Sequence, residues 1–439
     1  KAERAGLRSK VYMNLRAPEF DAISDNEWDS NLQKDVIVRR NTQLWQANLA
    51  IRQPIIFFGY PTNGFLSLNN KVYRYDQLYS NIRDINYYNR LFVKYEQPFF
   101  QPNELKNDIE KAKLSLERKE LQFLDDQVDL IDDIADDFFD LYKLSFQNEI
   151  YKQQIKNLQV CNHIADCDAP EKEESLDCIK IKVELNNVKE KLAQNNSDLR
   201  MEKMRLKQRL RLSDKDSLYI KTTIDIPDLT IDEEEAIQNG FKLRPRLRLI
   251  DISREEQEIN LINVKGWNSF RLNLEMTYGL ERQNPSYEEL IKQDYENSYS
   301  VALSAYIPIW DWGQRQARIQ AQKISIQKYD LYKEEIRNSI RSEIENSVQN
   351  VNEYQKRANN MHTNRKMAKE ITERTLVQYD KKQIPLQEVL QAITREKDTE
   401  INFLEAYLGY RRSLLRLMTS TYYDYENDIK LLEKYNKDS

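Results

Sequence analysis

Carboxylates are the most abundant side chains in this sequence that could do chemistry, with 72 Asp and Glu among 439 residues. A metal site or an acid–base pair usually adds histidine to carboxylates, but the two histidines, His163 and His362, each stand alone. The sequence also has no Gly-rich phosphate loop and no Gly-x-Ser-x-Gly motif. These patterns predict no enzyme, no cofactor and no metal site. Seven of the carboxylates crowd one segment: Asp125, Asp129, Asp132, Asp133, Asp136, Asp137 and Asp140.

Three cysteines are the remaining reactive groups. Cys161, Cys167 and Cys178 lie within 18 residues of one another. Their spacing matches no common zinc motif, and it leaves the redox compartment of the protein open. Whether any two of them form a disulfide depends on that compartment.

The composition indicates long, solvated helices. Charged residues make up 32% of the chain, mean hydropathy is −0.80, and there are only 8 Gly and 11 Pro. The net charge of −5 gives no basic footprint for nucleic acid. No run of 18 apolar residues predicts a transmembrane helix, which leaves a membrane β-barrel open because barrel strands only alternate. Residues 1–6 lack the composition of a signal peptide.

Segments without glycine or proline predict the positions of the longest helices. The segments 103–160 and 314–380 would be roughly 90–100 Å long as helices. One apolar seam runs along the first of these segments, and a second seam runs beside it. The same doubling recurs in 401–417. Two seams give a helix two lateral neighbours, as in a closed ring of helices, and a buried bundle helix is the competing interpretation. The first seam has the 4-3 spacing of a coiled coil, with Leu124, Val128, Ile131, Ala135, Phe138 and Tyr142.

Apolar and polar residues alternate with a period of two between the helical segments. This pattern is typical of strands with one apolar face, in a soluble sandwich or in a membrane barrel. Aromatic residues at the strand ends, such as Phe57, Phe99 and Trp310, favour the membrane. The predicted strands are 9–17, 44–56, 63–75, 89–98, 270–281 and 298–308.

The chain contains an internal repeat of strands followed by a helical hairpin. Pro98 and Pro308 each end a strand before a long helix, and they lie 210 residues apart. Leu176 and Leu386, at the start of the returning helices, have the same separation of 210 residues. We predict first-repeat strands in 1–100, a helical hairpin in 101–212, a bridging segment with a short helix in 213–262, second-repeat strands in 263–310, a second hairpin in 311–425 and a tail in 426–439.

Several motifs together resemble the TolC-like family of outer-membrane efflux proteins. Ser298–Arg318 (SYSVALSAYIPIWDWGQRQAR) is similar to the second-repeat barrel strand that runs into the family's longest helix. Tyr379–Ala392 (YDKKQIPLQEVLQA) resembles its periplasmic turn. Arg244–Leu247 (RPRL) resembles the opening of repeat two, and Val183–Glu190 (VELNNVKE) resembles the first returning helix. The similarity covers about 240–420 and, less closely, 90–215.

The resemblance implies a mainly α fold with a transmembrane β part: a homotrimeric β-barrel in the outer membrane of a Gram-negative bacterium and a coiled-coil helical barrel in the periplasm. It implies a passive duct that docks a periplasmic adaptor and an inner-membrane pump, for efflux or for type I secretion. Family members carry an upper helix before the first strand, so we expect further residues upstream of Lys1. The alternative is a periplasmic coiled-coil adaptor or scaffold, although adaptors have compact, Gly-rich β parts and no duplicated plan of strands and helices.

The resemblance also implies a gate at the periplasmic end of the helices. A tyrosine at the end of the longest helix and an aspartate at the start of the first returning helix match Tyr379 and Asp177. Glu388 matches the first of two acidic residues at the constriction, and Gln391 stands where the second lies. Ile384 stands where a basic link residue often lies. The residues expected at the adaptor-docking tips are Lys381, Lys382, Gln383, Pro385 and Leu176.

Two further expectations concern the helices. In the oxidising periplasm, Cys161 and Cys167 would form a disulfide at the first tip, the alternative being three free thiols. Four of the crowded aspartates would form an acidic stripe along the lumen that favours cations, the alternative being a solvated outer face. These four are Asp129, Asp133, Asp136 and Asp140.

The number of strands departs from the simplest family plan of four for each protomer. Repeat one has candidates at 44–56 and 63–75 in addition to its outer strands, joined by a turn at Tyr60–Gly64. We predict that the 44–75 hairpin joins the barrel wall. Each protomer would then contribute six strands, and the trimer would have eighteen.

Overall fold

A computed structural model describes residues 5–29, 33–58, 60–79, 82–167, 175–213 and 215–432. The chain divides into two compact units. One unit, Lys1–Lys119 with Asp251–Asp330, contains the main sheet, and the other, Glu120–Ile250 with Leu331–Ser439, is mostly helical.

The sheet has six antiparallel strands in the order in which they occur in the chain. The 44–75 hairpin lies within this sheet, between the first and fourth strands, and the fourth strand pairs with the fifth. The prediction of six strands in one sheet is therefore confirmed. The strands are β1 (Lys10–Asp29), β2 (Lys34–Phe57), β3 (Tyr60–Tyr79), β4 (Ile82–Phe99), β5 (Arg271–Asn284) and β6 (Glu296–Tyr306).

The register places all the apolar alternating residues on one face of the sheet. Leu68 pairs with Ile51 and with Val93, which pairs with Tyr278, and directly paired residues lie on the same side. Thirteen apolar side chains on this face are 36–74% exposed. This apolar face, as we call it, consists of Val11, Met13, Leu15, Leu49, Ile51, Leu66, Leu68, Leu91, Val93, Met276, Tyr278, Val301 and Leu303.

The opposite face of the sheet is polar, and several of its charges are paired. Lys94 bridges Glu96 at 2.6 Å and Glu275 at 2.9 Å, so that β4 and β5 share one cation. Arg52 on β2 reaches Glu96 at 3.2 Å. A strand whose two faces differ in this way separates an apolar from an aqueous environment.

The first four strands are longer than predicted from the sequence. β1 continues from the predicted end at 17 to Asp29, and β4 begins at Ile82 instead of 89. The register of β1 shifts between Arg16 and Glu19, and the residues beyond this bulge no longer alternate. The part of β1 beyond the bulge pairs with β2 through backbone hydrogen bonds. Such pairing does not require alternating side chains, so the sequence pattern does not reveal this part of the strand.

Seven helices occur in the described parts of the chain. α1 and α6 have 61 and 67 residues, which confirms the two long helices predicted from the absence of glycine and proline. No helix among the described residues is long and apolar enough to cross a membrane. The helices are α1 (Glu104–Ile164), α2 (Leu176–Arg209), α3 (Glu233–Leu243), α4 (Pro245–Gly266), α5 (Tyr287–Lys292), α6 (Gln314–Asp380) and α7 (Leu386–Thr421).

An extended strap, residues 218–232, crosses the helices of the second unit. Its carbonyl oxygen at Pro227 accepts hydrogen bonds from Gln355 Nε2 of α6 at 2.9 Å and from Tyr410 Oη of α7 at 3.3 Å. The carbonyl oxygen of Thr223 accepts from Tyr142 Oη of α1 at 3.2 Å. Three isoleucines of the strap pack against the aromatic core formed by α1 and α7: Ile220, Ile224 and Ile226.

A small C-terminal hairpin follows α7. Its strands, β7 (Tyr423–Asp424) and β8 (Ile429–Lys430), pair with each other. Arg411 of α7 forms an ion pair with Glu426 in the hairpin turn at 2.5 Å, and Asp424 Oδ1 accepts from the backbone N–H of Glu426 at 3.0 Å. Tyr422, left-handed at φ 59°, ends the helix and donates to Asp125 of α1.

Candidate functional site: the helical tips

The turn between α6 and α7 is short and closed by backbone hydrogen bonds. The N–H of Gln383 donates to the carbonyl of Gln378 at 3.0 Å, and the N–H of Lys382 donates to that of Tyr379 at 2.8 Å. Lys382 has a positive φ of 57°, a conformation that usually favours glycine or asparagine. The predicted docking residues Lys381, Lys382, Gln383 and Pro385 are exposed on this turn.

The turn between α1 and α2 is closed by a disulfide. Cys167, three residues beyond the end of α1, is bonded to Cys178 in the first turn of α2, with their Cα atoms 5.4 Å apart. The predicted Cys161–Cys167 bridge is wrong, because Cys161 lies inside α1 and is a free, buried thiol.

The two tips share one apolar cluster. Cys161, Cys167 and Cys178 of the first tip pack with residues of the second, and all nine buried members are at most 3% exposed. Burial raises the pKa of the Cys161 thiol to about 12, so it stays protonated and unreactive at neutral pH. The other buried members are Leu158, Ile181, Val188, Leu386, Val389 and Ile393.

Tyr379 and Asp177, the predicted gate pair, lie close together at this cluster. The Tyr379 ring is half-buried against the apolar residues, and burial together with the negative charge of Asp177 raises the pKa of its phenol. Asp177 also lies 3.8 Å from Lys180 one turn along α2. The hydrogen bond between Tyr379 and Asp177 is not formed among the described contacts of the single protomer, and it stays a prediction.

The other predicted gate residues lie on the start of α7 and the turn before it. Ile384 packs against the apolar cluster, which explains an apolar residue at a position expected to be basic. Glu388 and Gln391 are both exposed. Gln391 lines an open cavity of about 750 Å³ together with Val183 of α2 and Gln154 of α1.

The acidic stripe is partly paired with arginines within the protomer. Arg412 of α7 lies 2.6 Å from Asp140 and 3.6 Å from Asp136. Arg209 of α2 lies 2.9 Å from Asp133 and 2.6 Å from the buried Asp137. Such pairing reduces the field that these aspartates could exert on a passing ion.

A buried carboxyl group, Glu396 of α7, escaped the sequence analysis. It is 6% exposed and accepts a hydrogen bond from Asn157 Nδ2 of α1 at 3.1 Å. Burial raises its pKa, and a hydrogen bond from Thr372 partly offsets this. Its position gives a signal that could have been found: Leu386, Val389, Ile393 and Glu396 follow the 3-4-3 spacing of an apolar seam.

The fold is that of outer-membrane channels of known structure. The crystal structure of the CmeC outer-membrane channel of Campylobacter jejuni matches with a TM-score of 0.66 and 12% identity, covering 100% of this chain and 82% of that chain. VceC of Vibrio cholerae matches with a TM-score of 0.65 and 12% identity, covering 96% of this chain and 88% of that chain.

The open state of MtrE of Neisseria gonorrhoeae gives a TM-score of 0.64 at 13% identity, covering 96% of this chain and 82% of that chain. No protein-family model and no curated protein sequence matches the chain. The mainly helical fold with a sheet part that the resemblance to TolC-like proteins implies is thus confirmed by structure, at identities too low for sequence comparison to detect.

Proposed function

We propose that this chain is one protomer of an outer-membrane duct that exports cargo passively. The observation that carries the proposal is the sheet, whose apolar face is exposed across all six strands while the other face carries polar and charged side chains, several of them in ion pairs. Lipid covers such a face, and water fills the side opposite to it. The likeness to outer-membrane channels supports the same conclusion.

Closure of the sheet requires further copies of the chain. β1 and β6 are the edges of the sheet, and unpaired strand edges are not tolerated in hydrocarbon. Six strands are too few for a membrane barrel, since the smallest have about 8. Three copies, each pairing β6 with β1 of the next, would form a barrel of eighteen strands in the outer membrane of a Gram-negative bacterium, with the helices in the periplasm.

The partners of the proposed duct are a periplasmic adaptor and an inner-membrane transporter, for efflux or for type I secretion. The exposed turn Lys381–Pro385 and the exposed Leu176 at the other tip would be the docking surface. Transport would draw its energy from the transporter, and no catalytic step is assigned to this chain.

In the same proposal, the tips form a gate. Tyr379 would donate to Asp177 in the closed state, a charge-assisted bond worth about 1.5–3 kcal/mol. Glu388 of each protomer would face the constriction and favour cations there. Glu388→Gln should then weaken the cation selectivity of single channels, whereas Glu370→Gln, an exposed change on α6, should not.

Placement of one charge on either face of β6 tests the barrel. Leu303→Arg puts a charge on the apolar face, where an arginine at the bilayer centre costs about 2–4 kcal/mol, and should abolish trimers that resist mild SDS. Ala302→Arg, on the polar face opposite Glu275, should leave them intact. If neither the unsubstituted protein nor the Ala302→Arg variant shows heat-modifiable migration, the result would instead support the adaptor or scaffold alternative.

A further inference from the structure

An open cavity of about 600 Å³ lies where the sheet strands run into the helices. Phe100, just beyond β4, and Phe270, just before β5, line it with their ring centroids 5.5 Å apart. Ile262 of α4 completes its apolar wall. These three side chains are 69%, 44% and 47% exposed, so the wall is not covered by the rest of the protomer.

Two cations stand at the rim of this cavity. Arg315 of α6 donates from Nε and Nη2 to the carbonyl oxygen of Lys265, at 3.2 and 2.8 Å, which fixes its guanidinium beside the last turn of α4. Lys265 itself is exposed. Asp311, close to Arg315, accepts from the backbone N–H groups of Gly313 and Arg315 in capping α6, and its charge offsets part of that of Arg315.

The apolar wall continues the apolar face of the sheet. Phe270 has the same strand parity as Met276 and Tyr278 of that face, and Phe99 pairs with Leu272 in the last row of the β4–β5 ladder. A ligand with its charged end at the cations would therefore find an uninterrupted apolar path along the sheet. A free anion would use the cations but not the path.

We propose that this cavity binds an anionic phospholipid, with its phosphodiester between Lys265 and Arg315 and an acyl chain against Phe100, Phe270 and Ile262. The inference rests on the proposed function, since it places the cavity at the membrane boundary nearest the helices. The cavity matches a phospholipid at both ends of the molecule. Its cations would bind the charged headgroup, and the apolar wall beside them would contact an acyl chain.

The test uses the purified full chain in detergent, titrated with phosphatidylglycerol or zwitterionic phosphatidylcholine and followed by native mass spectrometry. We expect retention of phosphatidylglycerol. Lys265→Gln should weaken it roughly fivefold, the effect of one cation at an anionic surface. Phe100→Ala, an exposed change, should weaken it while leaving the rim charges in place. Lys323→Gln, an exposed change further along α6, is the matched control and should have no effect.

Equal retention of phosphatidylcholine, or no response to Lys265→Gln, would overturn the proposal. Displacement of the lipid by glycerol 3-phosphate would identify a free-phosphate site instead, and absence of lipid from the assembled protein would identify a cavity covered by a second copy. Conductance of the same preparations is measured in parallel. Channels that conduct but retain no lipid refute this inference alone, whereas a protein that never conducts refutes the duct.

Discussion

The two helical tips each join a long helix to a returning helix, and they are stabilised differently. Leu176 and Leu386 stand 210 residues apart, yet Leu176 is 67% exposed and Leu386 is 3% exposed. The second tip is held by apolar burial and a short hydrogen-bonded turn. The first is held by a covalent bond between Cys167 and Cys178. Because the disulfide already stabilises the first tip, Leu176 need not be buried there and remains exposed at the surface.

The largest effect should come from removing the leucine on which the second tip depends. Leu386→Ala should destabilise the tip by about 2–5 kcal/mol, because it leaves a cavity in the shared cluster. Leu176→Ala should change stability by less than about 0.5 kcal/mol. Hydrogen exchange of amides in the two turns measures both, and equal losses for the two variants would mean that the tips do not differ in this way.

Loss of the disulfide should have the next largest effect and should act on the first tip. The bond closes a loop with a sequence separation of 11, for which the chain-entropy model gives roughly 3 kcal/mol. Cys167→Ser with Cys178→Ser should raise exchange in the first turn more than in the second. Cys161→Ala is the control for cysteine loss without bond loss. Alkylation of the denatured protein without reductant should label Cys161 only, and labelling of all three would refute the bond.

A smaller effect should come from the phenol that links the tips in the proposed gate. Tyr379→Phe removes the donor to Asp177 but keeps the ring in the apolar cluster, so the protein should fold normally. The open probability in planar bilayers should rise by roughly tenfold or more, if the bond is worth about 1.5–3 kcal/mol. Tyr332→Phe, an exposed change on α6, should conduct like the parent. Unchanged conductance in Tyr379→Phe would remove this residue from the gate.

The smallest effect should appear as a pH dependence caused by the buried Glu396 of α7. Burial raises the pKa of Glu396, so the protonated form is favoured in the folded state. Its contribution to stability is then complete below about pH 4.5, the ordinary value, and is lost as pH rises through the folded pKa. Glu396→Gln should therefore stabilise the helices at neutral pH and flatten the dependence, whereas Glu405→Gln, an exposed change, should do neither. A steeper dependence in Glu396→Gln would contradict this sign.

Most of the fold could be predicted because the forces that shape it act over short stretches of sequence. The absence of glycine and proline located α1 and α6, and the double seam predicted two lateral neighbours for α1 and α7. A period of two located five of the six strands, and the turn at Tyr60–Gly64 located the sixth, β3. In β1 the alternation of apolar and polar residues stops at the bulge after Arg16. The predicted end of this strand was therefore wrong.

The tips could be located from the sequence, but their chemistry could not. Which cysteines pair depends on where α1 ends: the helix continues four residues past the predicted segment 103–160, so that Cys161 is a buried helix residue and Cys167 meets Cys178. The arginines that pair with part of the acidic stripe come from α2 and α7, far along the chain, so these contacts could not be predicted from the local sequence. The charge of Asp177 raises the pKa of the Tyr379 phenol, and the bond between the two stays a prediction.

The strap across the helices has a consequence for how the protein can change over time. Its hydrogen bonds end on main-chain oxygens, those of Thr223 and Pro227, and the identity of a side chain does not alter such an acceptor. Between the inward isoleucines, substitutions in the strap should therefore be nearly neutral, while Tyr142, Gln355 and Tyr410 on the helices should be constrained. Relatives could acquire a differently charged or lengthened strap without losing its attachment, which would make this segment the place where closely related ducts diverge first.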